Sequence, residues 1–254
     1  DIDEIYDRIK PDVIFVQLVR MVPYTVHFEI PMILDYMDAF SLNMQRESAT
    51  YSGIKAYFYK RESRLLQNAE KKFGLRFDKK IIISEPDKKY LQSIGVQNLI
   101  VQNNGVDLSY FNKACVSHAE QKYDVGFVGN MGYAPNVDAA EYLVNEILPS
   151  LDQNIDVVIA GARPSRRVQV LSNHNVEVTG WVEDVREAYA QIKVFVAPLW
   201  LGTGQQNKIL EAMSMGIPCV TTSLVNNAIG GVDNIHIMVA DTKEAFVDKI
   251  KLLL

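Results

Sequence analysis

A lysine and a glutamate three residues apart, Lys208 and Glu211, stand in the run NKILEAM directly behind the glycine-bearing turn LGTGQQ. Apolar residues at Ile209, Leu210 and Met213 give the run helical spacing, so Lys208 and Glu211 share one face, a turn apart. A helix that opens behind a buried strand is a natural anion site, because its first amides are unpaired and its dipole points at the ligand. A cation at that mouth with a carboxylate one turn further on suits a phosphate next to a hydroxyl-rich sugar. Three more strand-like runs end in glycine-bearing turns: Gly129-Asn130-Met131-Gly132, Gly161-Ala162-Arg163 and Gly180-Trp181-Val182. Each alone reads equally well as a tight connection, with Arg163 a solvated loop arginine and Asp184 the cap of the next helix. Their convergence on one rim of a sheet carries more weight, since ligands of open α/β sheets bind at the carboxyl ends of the strands.

The elements that would position these residues follow from the patterning. Apolar runs at 124–128, 156–160, 176–179, 194–197, 219–222 and 236–239 alternate with helical patterns at 137–148, 165–171, 185–191 and 206–215. Gly216 and Pro218 end the last of these helices. Six strands alternating with helices describe a complete doubly wound domain over residues 123–254. The first half, 1–113, holds about four strands of the same style, at 13–16, 32–35, 80–84 and 99–102, and reads as part of a similar domain whose opening units are absent. Its longest feature is a helical stretch over 45–73, with Asp38 and Ser41 as candidate caps. The polar, aperiodic segment 114–122 is the expected linker.

Composition narrows the function. The chain has 254 residues, 48% of them hydrophobic, which suffices for a sizeable core. A net charge of −5 argues against nucleic-acid binding. Cys115 and Cys219 are far apart and read as free thiols of a reducing compartment. The four histidines lack metal-ligand spacing, Asp1-Ile2-Asp3 begins a helix rather than ending a strand, and neither a Walker loop nor a Gly-x-Ser-x-Gly elbow occurs. No metal site is therefore expected. Around Lys55 to Arg64, Tyr57, Phe58 and Tyr59 lie among Lys60, Arg61 and Arg64. This stretch suits either an anionic membrane surface or, more simply, a partly solvated domain helix, since Glu62 and Glu70 interrupt the charge.

The segments FVGNMGYAPNVDA, VVIAGARPS, VEVTGWVEDVREAYA, VFVAPLWLGTGQQNKILEAM and GIPCVTT, in this order and spacing, resemble the nucleotide-sugar-binding half of GT-B retaining glycosyltransferases of group 1, family 4. GYAPNVDA with QNKILEAM is similar to a bacterial branch associated with exopolysaccharide assembly. LDYMDAFS, IIISEPD and NNGVDLSYF resemble the late acceptor domain and interdomain segment of that branch. The resemblance implies a GT-B-like α/β architecture: a complete Rossmann-like donor domain preceded by a partial Rossmann-like acceptor domain, truncated at both ends.

It further implies transfer of a sugar from a UDP- or GDP-sugar to a glycan or lipid-linked acceptor with retention, without cofactor or metal. The place of action would be cytoplasmic, or peripheral at the inner face of the membrane. By resemblance Glu211 holds the donor ribose and Lys208 the diphosphate. Gly129, Asn130 and Arg163 would line the phosphate side, Gly180 to Val182, with Trp181, the base, and Thr203, Gly204, Gln205, Gln206 and Asn207 the sugar. Arg20, after the first strand, would face the reaction from the acceptor side. One departure stands out: Thr203, eight residues before Glu211, occupies the place of the family's first glutamate. A truncated, non-catalytic nucleotide-sugar-binding module is therefore the alternative. An enzyme of another class on this fold, such as an epimerase, would be expected to carry histidines and carboxylates in these turns, and the histidines lie elsewhere.

Overall fold

The computed structural model describes residues 1–116, 120–152, 154–202 and 205–254. Thr203 and Gly204 of the expected sugar site, and residues 117–119 of the expected linker, lie outside the described residues. The chain packs as two units, which divide after Asn104; Gln205 goes with the first. A boundary drawn over 114–122 follows composition, whereas packing assigns 105–116 to the second unit. Its clips are specific. The Ser214 hydroxyl donates to the Phe111 carbonyl at 2.6 Å, the Arg186 guanidinium lies 4.0 Å from the Tyr110 ring centre, and Phe111 meets Tyr189 edge-on.

In the second unit, β5 (Tyr123–Val128), β6 (Val157–Ala160), β7 (Val176–Gly180), β8 (Ile192–Ala197), β9 (Cys219–Thr221) and β10 (Met238–Val239) form one parallel sheet. The order is β10-β9-β8-β5-β6-β7. The direction of winding thus reverses between β5 and β8, and open α/β sheets bind ligands outside the strand carboxyl ends at such a switch point. Both faces are covered, so β6 and β9 are buried throughout, as a parallel sheet requires. The helices α5 (Ala134–Tyr142), α6 (Arg166–Gln169), α7 (Val185–Ala190), α8 (Asn207–Ser214), α9 (Ser223–Ile229) and α10 (Lys243–Leu253) connect or follow the strands. The expected strand at 236–239 contracts to Met238–Val239, because Asp233 Oδ1 takes the Val239 amide and holds the preceding residues as a loop. Gly216 closes α8 at φ +70°, as the pattern predicts.

The first unit has α1 (Ile2–Ile9) and a four-stranded parallel sheet of β1 (Ile14–Gln17), β2 (Met32–Asp35), β3 (Lys79–Ile82) and β4 (Leu99–Val101), in that order. A 3-10 turn, Val19–Tyr24, follows β1, and α4 (Glu85–Ser93) joins β3 to β4. The helix expected over 45–73 is two helices, α2 (Phe40–Thr50) and α3 (Gly53–Gly74), broken where Gly53 takes φ +64°. Neither Asp38 nor Ser41 caps α2. Its opening amides are met from outside: Glu70 Oε1 accepts the Ser41 amide at 3.0 Å, the same carboxylate bonds the Phe40 amide, and the Ser41 hydroxyl donates to Glu70 Oε2. This fully buried carboxylate is a cap lent by a neighbouring helix. Burial raises its pKa above the usual carboxylate range against the opposing pull of those bonds.

Replacing Glu70 by alanine is expected to cost about 2–4 kcal/mol in urea unfolding, since it strands two helix amides and leaves a void. Glu70→Gln keeps an acceptor oxygen and should lose less than half of that.

Candidate functional site

β5 and β8 end side by side at the switch point, and the two helices that leave them, α5 and α8, start there. Lys208, in the first turn of α8, reaches across to β5. Its ammonium donates to Asn136 Oδ1 of α5 at 2.5 Å and stands 5.2 Å from the Phe127 ring centre. Asn136 in turn is oriented by its amide nitrogen, which donates to the Asn130 carbonyl at 2.9 Å. Gly129 keeps this corner open: a Cβ there would lie 2.9 Å from Asn136 Nδ2 and 3.3 Å from Lys208 Nζ and would push those side chains aside. The chain therefore sets a primary ammonium beside bare backbone at the mouth of two helices. Neither N-cap, Tyr133 for α5 or Gln206 for α8, gives a side-chain bond to its own helix amides.

Lys208 is only partly exposed, and desolvation lowers its pKa to about 8 although Glu211 pulls the other way. At neutral pH it remains mostly charged with an incomplete solvent shell. Glu211 lies one turn on, its Oε2 accepting from the Tyr189 hydroxyl at 2.8 Å. The Lys208 carbonyl, 3.2 Å from the same hydroxyl, is a second acceptor. Tyr189, on α7, is wholly buried, and burial together with Glu211 keeps its hydroxyl protonated. It is a positioning residue: it fixes one carboxylate oxygen of Glu211. Among the described residues the other oxygen makes no hydrogen bond.

The turns after β5, β6 and β7 are tied into one rim by backbone bonds. The Gly129 amide donates to Ala160, Met131 to Ala162, and Gly161 to the Gly180 carbonyl, at 2.8–2.9 Å. At Gly161, φ is +136° and a Cβ would sit 1.8 Å from the Gly129 carbonyl oxygen, so these two turns touch backbone to backbone. Asn130 is exposed and closes its turn by accepting the Gly132 amide on Oδ1. Arg163, at φ +55°, is exposed and makes no ion pair among the described residues. Arg167 nearby is taken up by Asp138 and Glu141. The Ser165 amide donates to the Met131 carbonyl at 3.1 Å, while its buried hydroxyl lacks a hydrogen-bond partner among the described residues.

Residues 122–254 match the family model of group 1 glycosyl transferases, a little more than half of the 254 residues. The chain belongs to that family. Among solved structures, that of Alr3699/HepE from Anabaena in complex with UDP and glucose superposes with a TM-score of 0.73 at 12% identity, over 99% of this chain and 70% of that one. Sucrose-phosphate synthase from Thermosynechococcus elongatus gives 0.75 at 14% identity, over 99% and 66%, and TarM 0.68 at 15%, over 95% and 47%. These likenesses place the α/β architecture among GT-B glycosyltransferases. A search of curated proteins gives no match.

In this group 1 glycosyl transferase the residues anticipated from the motifs fall into separate places. Gly129, Asn130, Arg163 and Lys208 belong to the switch-point rim, with Glu211 behind Lys208. Trp181 and Val182 follow β7; Trp181 is 70% exposed while Val182 packs against the core. Gln206 and Asn207 start α8. Gln205 instead packs with the first unit, its Oε1 accepting the Asn104 amide at 2.8 Å. Arg20 is an exposed residue of the 3-10 turn after β1. The sequence reading missed Asn136, Tyr189 and Ser165. Asn136 and Tyr189 sit inside helical patterns as ordinary polar and aromatic residues, and only the crossing of three helices reveals their partners.

Lys208→Met should leave the free protein within about 1 kcal/mol of wild type in unfolding, because it removes a costly desolvated charge along with its bond to Asn136. Tyr189→Phe should fold, lose about 1–2 kcal/mol, and release Glu211. Chemical denaturation of both variants checks these values.

Proposed function

We propose that this chain binds a nucleoside-diphosphate sugar at the switch point and transfers the sugar to an acceptor hydroxyl with retention, in the synthesis of a cell-surface polysaccharide or glycolipid. The observation that carries the reading is the placing of Lys208 beside Gly129, with Glu211 held one turn behind it by Tyr189. In this reading the diphosphate takes the ammonium and the α8 mouth, and the open oxygen of Glu211 accepts from a ribose hydroxyl. Arg163 adds a second cation from the β6 turn, and Trp181 with Val182 flanks the base. As the bond from the anomeric carbon to the diphosphate oxygen breaks, negative charge grows on the leaving group. A fixed cation and aligned amides stabilise that charge without reorganising, the service a metal ion gives elsewhere. The new bond forms from the acceptor oxygen to the same face of the sugar, and the acceptor proton passes to the leaving diphosphate oxygen.

UDP is the first nucleotide to test, since HepE has been solved with UDP and with UDP-glucose; GDP is the second. The acceptor would be a glycan or lipid-linked sugar, met on the cytoplasmic side, and neither cofactor nor metal is needed. A second reading, binding without transfer, is favoured by Thr203 in the place of a sugar-binding glutamate.

A saturating nucleoside diphosphate should raise stability by about 2.7 kcal/mol at a hundredfold excess over Kd, seen as a thermal shift. Lys208→Met and Glu211→Ala should each abolish most of that shift. A shift that survives both substitutions would place the nucleotide elsewhere. Affinity should also fall as pH rises through about 8, where Lys208 of the free protein loses its proton. Below that pH the cation is already present and binding is at its full strength. Transfer of radiolabelled sugar, against simple binding, then separates enzyme from binding module.

A further inference from the structure

Helix α3 buries polar residues and exposes large apolar ones. With Ala69 and Phe73 packed on the core at one side, the middle of its inward face carries, at the helical spacing 63, 67, 70, 74, Ser63, Gln67, Glu70 and Gly74. Every one of these has a particular partner. The Ser63 hydroxyl donates to the Ser41 carbonyl, Gln67 to the Tyr90 hydroxyl, and Glu70 caps α2. Gly74 leaves room for the Tyr36 hydroxyl, which donates to the Glu70 carbonyl. The outward face repeats the same spacing at 54, 58, 61 and 65, three large apolar residues and Arg61. Ile54 is 90% exposed, Phe58 55% and Leu65 47%, with Tyr57 at 71% beside them. An ordinary surface helix shows the reverse arrangement.

The charge on α3 has a definite sign. The helix carries six cations against two carboxylates, Glu62 and Glu70, in a chain of net charge −5. Glu70 is buried on the inner face. Arg61, between Phe58 and Leu65 on the stripe, bonds Glu62 at 3.1 Å, and Lys55 lies over the Tyr51 ring. Lys60, Arg64, Lys71 and Lys72 are exposed and form no ion pair among the described residues. Apolar side chains ringed by unpaired cations fit a surface that is oily beneath and anionic above. No helix of the described residues is long and apolar enough to cross a membrane, so the contact would be along the helix rather than through it.

We propose that α3 is a membrane-docking helix, lying in the interface of an anionic bilayer with Ile54, Phe58 and Leu65 among the acyl chains and Lys60, Arg64, Lys71 and Lys72 on the headgroups. Buried polar bonds together with Ala69 and Phe73 hold the helix to the unit, which leaves Ile54, Phe58 and Leu65 free for lipid. The inference stands apart from the donor-site reading, and its test leaves that site untouched.

Flotation with vesicles of phosphatidylcholine containing about one third phosphatidylglycerol is the measurement. The whole chain should float with these vesicles, and at least about tenfold less with pure phosphatidylcholine or in high salt. Ile54→Glu with Phe58→Glu should abolish flotation. Lys60→Glu with Arg64→Glu should weaken it by more than about twentyfold, at about fivefold per cation. Phe58→Trp should show a blue shift of indole emission on adding the anionic vesicles. Far-UV circular dichroism and the thermal midpoint should be unchanged in each variant, since the replaced side chains are exposed. The nucleotide thermal shift, read in parallel, reports on the donor site alone. Failure of the wild type to float overturns the proposal, as does flotation that survives the glutamate substitutions. A concentration-dependent dimer that Ile54→Glu and Phe58→Glu dissociate, without vesicle binding, also overturns it and assigns the face to a second copy of the chain.

Discussion

A lysine ammonium kept charged with little water around it is the constraint on which the rest of the site depends. Lys208 leans from α8 across the switch point, touches Asn136, and stands over Phe127 at the head of β5. Holding a cation there lowers its proton affinity, and that cost is carried by the packing of the sheet beneath it. In the proposed reading the same isolation would make the ammonium an effective partner for a diphosphate, because an entering anion would replace solvent the lysine has already lost. Glu211 keeps the charge balance local, and Tyr189 keeps Glu211 in place from a wholly buried position.

Around that cation the second unit uses backbone more than side chains. Gly129 and Gly161 bring two strand-end turns into direct contact, and three amide-to-carbonyl bonds lock the rim. The rim is thereby built from backbone contacts rather than bulky residues. The underlying strands β6 and β8 are buried on both faces except at Lys193, so the turns leave from firmly seated strand ends.

The first unit is held by another kind of interaction. Its long helix α3 is fixed by a buried polar network centred on Glu70, Ser41 and Tyr90. Such a network specifies one seating of the helix, since every shift would strand a buried polar group. It also separates the two faces of α3 by chemistry, so that the outer face is released from any duty in the core.

Much of this was legible in the residues. Alternating apolar runs and glycine-bearing turns announced a doubly wound unit over 123–254, because period and turn chemistry are local properties of the chain. That Lys208 and Glu211 share a face of one helix followed from spacing alone, and Asp184 as the cap of α7 from residue type, borne out by its bond to the Arg186 amide. Hidden from the sequence were the relations across elements: Asn136 under Lys208, Tyr189 behind Glu211, Glu70 capping a helix that begins thirty residues earlier at Phe40. A helix pattern reports which residues share a face, but whether that face looks inward depends on what packs against it. For α3 the period was readable and the orientation was not, since only the tertiary structure supplies the partners that draw Ser63, Gln67 and Glu70 inside and leave Ile54 and Phe58 out.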